Sequence, residues 1–241
     1  MAVLQTLQDR SAKPIYVTPD RKLFSSKIGQ SDVEGVLFSL TPSDAVIESF
    51  LKQMASSLPT AGEPQLRAKD LKPNEVSVVL SAQFPNGGAL LGADLEELPG
   101  RGWSNILATS TCIGDTATLF KVPHHGSKNA HCDKVWSEML APSVIAIIAP
   151  WNRGAKLPTV SDARRILSLT PNAYATADPN DVSTIKRDPQ VRRSLANMGI
   201  ELKLAQPRSG HLRFRRKIGE SQWHIKMNGT AKHLRSIRSL S

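Results

Sequence analysis

ATLFKVPHHGSKNAH, residues 117–131, runs from an apolar, strand-like segment into a polar loop that holds three of the chain's six histidines. The apolar run stops at Pro123, so His124 and His125 fall where a core strand ends. Such ends are places where a rigid backbone can hold polar side chains at an open sheet edge, and imidazole is a suitable ligand for zinc or manganese. Two neighbouring imidazoles are too few for a metal site, so the pattern asks for a carboxylate from elsewhere in the chain.

Asp94, in LLGADLEE, closes another apolar run. VSVVLSA (76–82) and ALLGA (89–93) read as two strands separated by QFPNGG, whose Pro-Asn-Gly-Gly content suits the positive-φ positions of a hairpin turn. Asp94 then sits just beyond the second strand, as the histidines sit beyond theirs.

Outward from this pair of strand ends, the periodicity predicts further elements. EGVLFSLT (34–41) reads as a strand feeding a helix in TPSDAVIESFLKQMASS, with Val46, Phe50, Leu51 and Met54 at helical spacing. Residues 56–75 read as a loop. GWSNILATS, KVWSEML and VSDARRILSL read as helices, and TATLFKV, YATAD and the very apolar SVIAIIAP as strands, the last with both faces covered. HLRFRRK and SQWHIKM alternate as paired strands do, with Leu212 and Phe214 on one face and Arg213 and Arg215 on the other. Trp103, Trp136 and Trp223 read as packing aromatics, and Trp151 as a residue at the mouth of the site.

The 241 residues are 40% hydrophobic and 22% charged, an ordinary balance for a folded chain of one core, with or without an appendage. No window approaches the roughly 18 apolar residues of a membrane span, and Asp9 and Arg10 interrupt the start before a signal core forms, so a cytoplasmic location without membrane association is expected. Two cysteines with no CxxC spacing read as free thiols. The net charge of +10 is concentrated at the end: Gln206–Ser241 holds nine Lys and Arg against the single acid Glu220. Such a segment favours polyanions, nucleic acid included, or forms one solvated sheet face.

Taken in order, NEVSVVL, ALLGADLE and LFKVPHHGS resemble the metallo-β-lactamase superfamily, in particular the branch that includes the metallohydrolase domain of competence-type DNA-uptake proteins. Asn74, Ser77, Asp94, His124, His125, Gly126 and Ser127 carry the resemblance, which covers about residues 30–160. It implies an α/β fold of the layered α+β kind, a partial or truncated αββα sandwich. Residues 1–160 would be the C-terminal part of that domain, and 161–241 a terminal helix and basic β-hairpin extension completing it. Asp94 would bridge two metals, zinc or manganese, His125 would ligate one, and His124 would stand beside them as the catalytic residue that meets the substrate. Ser127 would shape the loop. Apart from the resemblance, Arg153 and Lys156, in WNRGAKLP, read either as phosphate contacts or as part of a solvated loop. The implied chemistry is hydrolysis of a phosphodiester or nucleic-acid-like substrate by metal-activated water, amide or thioester substrates being the alternative.

Two departures qualify what is expected. Ala93 separates Gly92 from Asp94 where the family reads GD, and no histidine precedes His124, so the family's HxHxDH motif is absent from this sequence. Asp94 and one histidine supply two ligands against the three or four of ordinary zinc sites; His131 reads as a loop residue outside the set. The expectation is weak metal binding, or none, by the chain alone. Three accounts stand: a fragment of a longer hydrolase, one subunit of a split enzyme whose second chain carries the HxHxDH half, or a catalytically inactive nucleic-acid- or protein-binding module derived from the fold.

Overall fold

A computed structural model describes residues 15–27, 32, 34–57, 72–85, 87–179, 188–200, 210–217 and 219–237. Its frame is one mixed sheet of eight strands, built from β1 (Arg21–Lys27), β2 (Glu34–Ser39), β3 (Leu80–Phe84), β4 (Gly87–Leu91), β5 (Ala117–Lys121), β6 (Leu140–Ile148), β7 (Ala173–Ala175) and β10 (Lys232–His233). They lie side by side in that order. The first four pair antiparallel, β4 to β7 run parallel, and β10 closes the far edge antiparallel to β7. Parallel neighbours require crossovers. These are supplied by α2 (Trp103–Thr109), by a helical segment around Val135–Met139, and by α3 (Val160–Leu169).

The parallel strands follow one another in chain order, so every crossover falls on the same face of the sheet. The core is there. Leu90, Phe120, Ala146, Ile148, Ala173 and Ala175 project from successive strands against Trp103 and Ile106 of α2, Val135 and Met139, and Ala163 and Ile166 of α3. Phe120 lies at the centre, edge-on to Trp103 and Trp136. α3 starts at a reciprocal cap in which Thr159 and Asp162 bond each other's backbone N–H.

The opposite face is also apolar, but less covered. The register aligns Leu80, Leu91, Lys121, Ile147 and Tyr174 in a row across β3 to β7. None of them is fully buried, and Leu91 is 36% exposed. Part of this face is covered by a separate antiparallel ribbon of β8 (His211–Arg215) and β9 (His224–Asn228). The ribbon's Phe214 meets Tyr174, and Trp223, just before β9, meets Phe84 edge-on.

Several expectations need correction. The strand expected from Val76 joins the ladder only at Leu80, because Pro73–Val76 forms a 3₁₀ turn. Thr41 holds the following segment instead, its hydroxyl accepting from Val79 N at 2.8 Å and donating to Ser77 O at 2.7 Å. KVWSEML winds wider than an α-helix, as a π-turn over Val135–Met139. α1 (Asp44–Ser56), capped by Ser43, buries no residue completely, and Leu51 and Met54 are exposed, so its apolar spacing does not mark a core face here. β1 and α4 (Pro189–Asn197) are additions; β1 lacks regular alternation, whereas α4 has local signals that sequence reasoning missed, an Asp188 cap, Pro189 in its first turn and Val191 and Leu195 one turn apart. Of the loop expected over 56–75, residues 58–71 lie outside the described residues. No helix among the described residues is long and apolar enough to cross a membrane.

Candidate functional site

Three parallel strands end side by side, and their continuations converge. Gly92 N donates to Lys121 O, Val122 N to Ile147 O, and His124 N to Ala93 O, which knits the chain past β4, β5 and β6 into one rim. Asp94, the two histidines and Ala149 therefore arrive together at the C-terminal end of the parallel strands, the usual location of ligand sites in open sheets of this kind.

The backbone here is unusual. Ala93, His124 and His125 have φ of 46°, 43° and 56°, and Gly126 has φ of 86°. Non-glycine residues in this region cost energy and cluster at functional sites. A Cβ at Gly126 would also lie 3.1 Å from Ile166 Cδ1, so that side chain would have to give by a few tenths of an ångström. The Gly126 carbonyl accepts from Arg165 Nη2 at 2.8 Å, and Arg165 is itself held by Asp162 at 2.9 Å, so the histidine turn is pinned to α3.

His125 Nδ1 lies 2.7 Å from Ala149 O. A carbonyl can only accept, so Nδ1 carries the proton, and in the neutral ring Nε2 presents its lone pair. Nε2 faces Asp94 Oδ2 at 4.0 Å. The Trp151 ring lies against the imidazole, with centroids 5.3 Å apart. A backbone carbonyl fixing the remote nitrogen is the arrangement found behind metal-ligating histidines. As donors, one carboxylate and one oriented imidazole fit part of a zinc or manganese site. Among the described residues, no group of three or more His, Cys, Asp and Glu side chains could hold a metal ion.

A cation already stands beside Asp94. Lys121 Nζ is 3.6 Å from Asp94 Oδ1 and donates to Ala93 O at 2.6 Å. Its burial in the apolar row depresses its pKa below the ordinary lysine value, and the Asp94 carboxylate opposes that shift.

His124 turns toward Glu96, a residue not anticipated from the sequence. Its Nδ1 is 3.3 Å from Glu96 Oε1, near enough for an ion pair if the ring is protonated but not aligned as a hydrogen bond. Glu96 is in turn gripped by Asn74 Nδ2 at 3.0 Å and Asn129 Nδ2 at 2.9 Å. No local signal in the sequence marks Glu96, since Asn74 and Asn129 lie 22 and 33 residues from it.

The remaining expected residues are less tightly joined to the site. Ser127 anchors the turn through its backbone N–H to His124 O at 3.0 Å. Arg153 is exposed and Lys156 half-buried in the loop closed by the Trp151–Leu157 bridge, and neither makes a hydrogen bond or ion pair among the described residues. His131 is bonded to Asp133 at 2.9 Å and does not join the cluster. No protein-family model matches the chain, and no curated protein or solved structure matches it.

Proposed function

We propose that the chain is the C-terminal part, or one subunit, of a metal-dependent hydrolase of the metallo-β-lactamase type, acting on phosphodiester or nucleic-acid-like substrates once an HxHxDH half is supplied. The observation that carries this reading is the His125 imidazole, whose Nδ1 is committed to Ala149 O while Nε2 is presented to the Asp94 carboxylate. The form of the sheet agrees with it. Half of an αββα sandwich has helices on one face and an apolar row on the other, and Leu80, Leu91 and Ile147 form such a row.

In this reading Asp94 and His125 are the ligands contributed by this chain, and the others come from the HxHxDH half. A bound zinc or manganese pair supplies a water of lowered pKa and stabilises charge on the attacked phosphoryl group. The chain's own residues position and neutralise. Ala149 and Trp151 fix the His125 ring, Lys121 balances the charge of Asp94, and Arg153 and Lys156 offer cations to phosphate oxygens. His124, beside Glu96, donates a hydrogen bond to the substrate.

A second reading, a binding module without catalysis, is favoured by Lys121, whose ammonium is already a counter-ion for Asp94. One experiment separates the two. Zinc and manganese bound to the purified chain are measured by mass spectrometry, with hydrolysis of bis(p-nitrophenyl) phosphate on the same samples, for wild type and Asp94→Ala/His125→Ala. The assay is repeated with any in-frame upstream segment encoding HxHxDH joined to the chain. Metal and turnover that vanish in the double variant support the hydrolase. Neither metal nor turnover in any form leaves the binding module.

A further inference from the structure

The Asp94 cluster lies at one end of the parallel strands; the basic ribbon meets the sheet at the other. Arg216 Nη1 is 3.4 Å from Thr118 Oγ1, Arg216 Nη2 is 3.2 Å from Pro85 O, and Trp223 Nε1 donates to Thr118 Oγ1 at 3.2 Å, all near the starts of β4 and β5. The β8–β9 register sorts the ribbon's side chains. Arg213 lies opposite Lys226, Arg215 opposite His224 and His211 opposite Asn228, and all six are exposed. Leu212, Phe214 and Ile225 alternate with them and are partly buried. The exposed face thus carries three fixed cations, Arg213 and Arg215 about 6.8 Å apart along β8 and Lys226 across from Arg213 on β9.

The face has little internal compensation. Glu220 approaches His224 at 3.3 Å and Lys217 at 3.6 Å. Among the described residues, Arg213, Arg215 and Lys226 pair with no carboxylate. Beside the ribbon opens a cavity of about 740 Å³ lined by Phe84, Phe214 and Trp223 together with Arg215, Lys217 and His224. Arg216 caps two of these rings, its guanidinium carbon 5.2 Å from the Phe84 centroid and 4.8 Å from that of Trp223. The volume falls within the range of roughly 300–1,000 Å³ usual for small-molecule sites, and its walls combine aromatic rings with cations.

We infer that the outer face of the β8–β9 ribbon and this adjoining cavity bind single-stranded nucleic acid, the cations taking successive phosphates and the aromatic cavity receiving a base. A row of cations alone would suit any polyanion. The aromatic cavity beside it selects a strand whose bases are unstacked, because rings stack on bases of any sequence while Lys and Arg follow the backbone. A duplex keeps its bases paired and cannot fill the cavity. The inference does not depend on metal chemistry at Asp94.

The test is fluorescence anisotropy with a labelled oligothymidylate of about 20 nucleotides, longer than a usual single-strand site, across a salt series. Wild type is expected to bind with log K falling linearly in log salt, at a slope near −2 if three cations each neutralise one phosphate. Arg213→Gln/Arg215→Gln/Lys226→Gln, on an exposed face, should keep the wild-type circular dichroism and melting temperature, yet bind about tenfold or more weakly with a shallower slope. An abasic strand of equal length and the duplex should both bind several-fold less tightly. Undiminished binding by the triple variant, or capture by phosphatidylserine vesicles without oligonucleotide binding, would each overturn the inference. Equal affinity for the abasic strand would overturn the base-binding cavity.

Discussion

His125 and Ala149 are joined by a 2.7 Å contact between Nδ1 and the carbonyl oxygen, and this contact decides which imidazole nitrogen faces Asp94. The two residues lie beyond the ends of adjacent parallel strands, so the bond also ties the histidine turn to β6. Structural and chemical roles of His125 should therefore be separable.

His125→Asn supplies an amide near the position of Nδ1, and asparagine tolerates the residue's φ of 56°. It should lose less than about 1 kcal/mol of stability, whereas His125→Ala, which strands the Ala149 carbonyl, should lose about 1–3 kcal/mol. Under the proposed function, with the HxHxDH half supplied, both should lose metal retention alike. Urea unfolding and metal content of the two variants provide the check.

Gly126→Ala places a Cβ 3.1 Å from Ile166 Cδ1 at a φ of 86°. The combined overlap and strain should cost about 1–3 kcal/mol, seen as a lower urea midpoint with unchanged slope. A variant as stable as wild type would mean that the turn has room this geometry denies it.

Lys121 gives a pH signature. Its folded pKa is depressed below 10.5, first by burial, with Asp94 opposing. Between the folded value and 10.5 the unfolded chain binds the extra proton, so this residue makes stability rise with pH through that window. Lys121→Met should remove that contribution. The comparison is the difference in unfolding free energy between the two proteins from neutral pH upward, and an unchanged difference would refute it.

Asp20 gives the opposite limb. Desolvation raises its pKa, but hydrogen bonds from Ser110, Thr111 and Cys112 outweigh it and leave the value below 3.8. Oδ1 accepts from Ser110 Oγ at 2.5 Å and Oδ2 from Thr111 N at 2.7 Å, which ties the turn before β1 to the loop after α2. This stabilisation is complete above 3.8 and is lost as pH falls through the lower folded value. Asp20→Ala should cost about 0.5–1.5 kcal/mol near neutrality, water taking the carboxylate's place at its partly exposed partners, and flatten the acid limb of a pH-dependent melt.

Alternation and turn chemistry were sufficient to locate β2, the β3–β4 hairpin, β5, β6, α2, α3 and the β8–β9 ribbon, because each repeats a local preference along contiguous residues. They also put Asp94, His124 and His125 just past strand ends, since apolar runs stop visibly at Ala93 and Pro123. The start of β3 was misplaced because Thr41, 38 residues before Val79, takes the backbone N–H that a strand would use. The grip of Glu96 by Asn74 and Asn129 joins side chains 22 and 33 residues from it, and no local pattern encodes such a meeting.

What the sequence by itself determined is the set of strands, the mixed character of the fold, the polar residues at the strand ends and the one-sided charge of the ribbon, all consequences of periodicity in neighbouring residues. Only the tertiary structure decided that three strand ends converge, that Ala149 orients His125 toward Asp94, that Lys121 reaches the same carboxylate, and that Trp223 and Phe84 open a cavity at the far end of the sheet. These depend on strand order and on contacts between distant segments. Burial and hydrogen-bond geometry select them after the strands have paired.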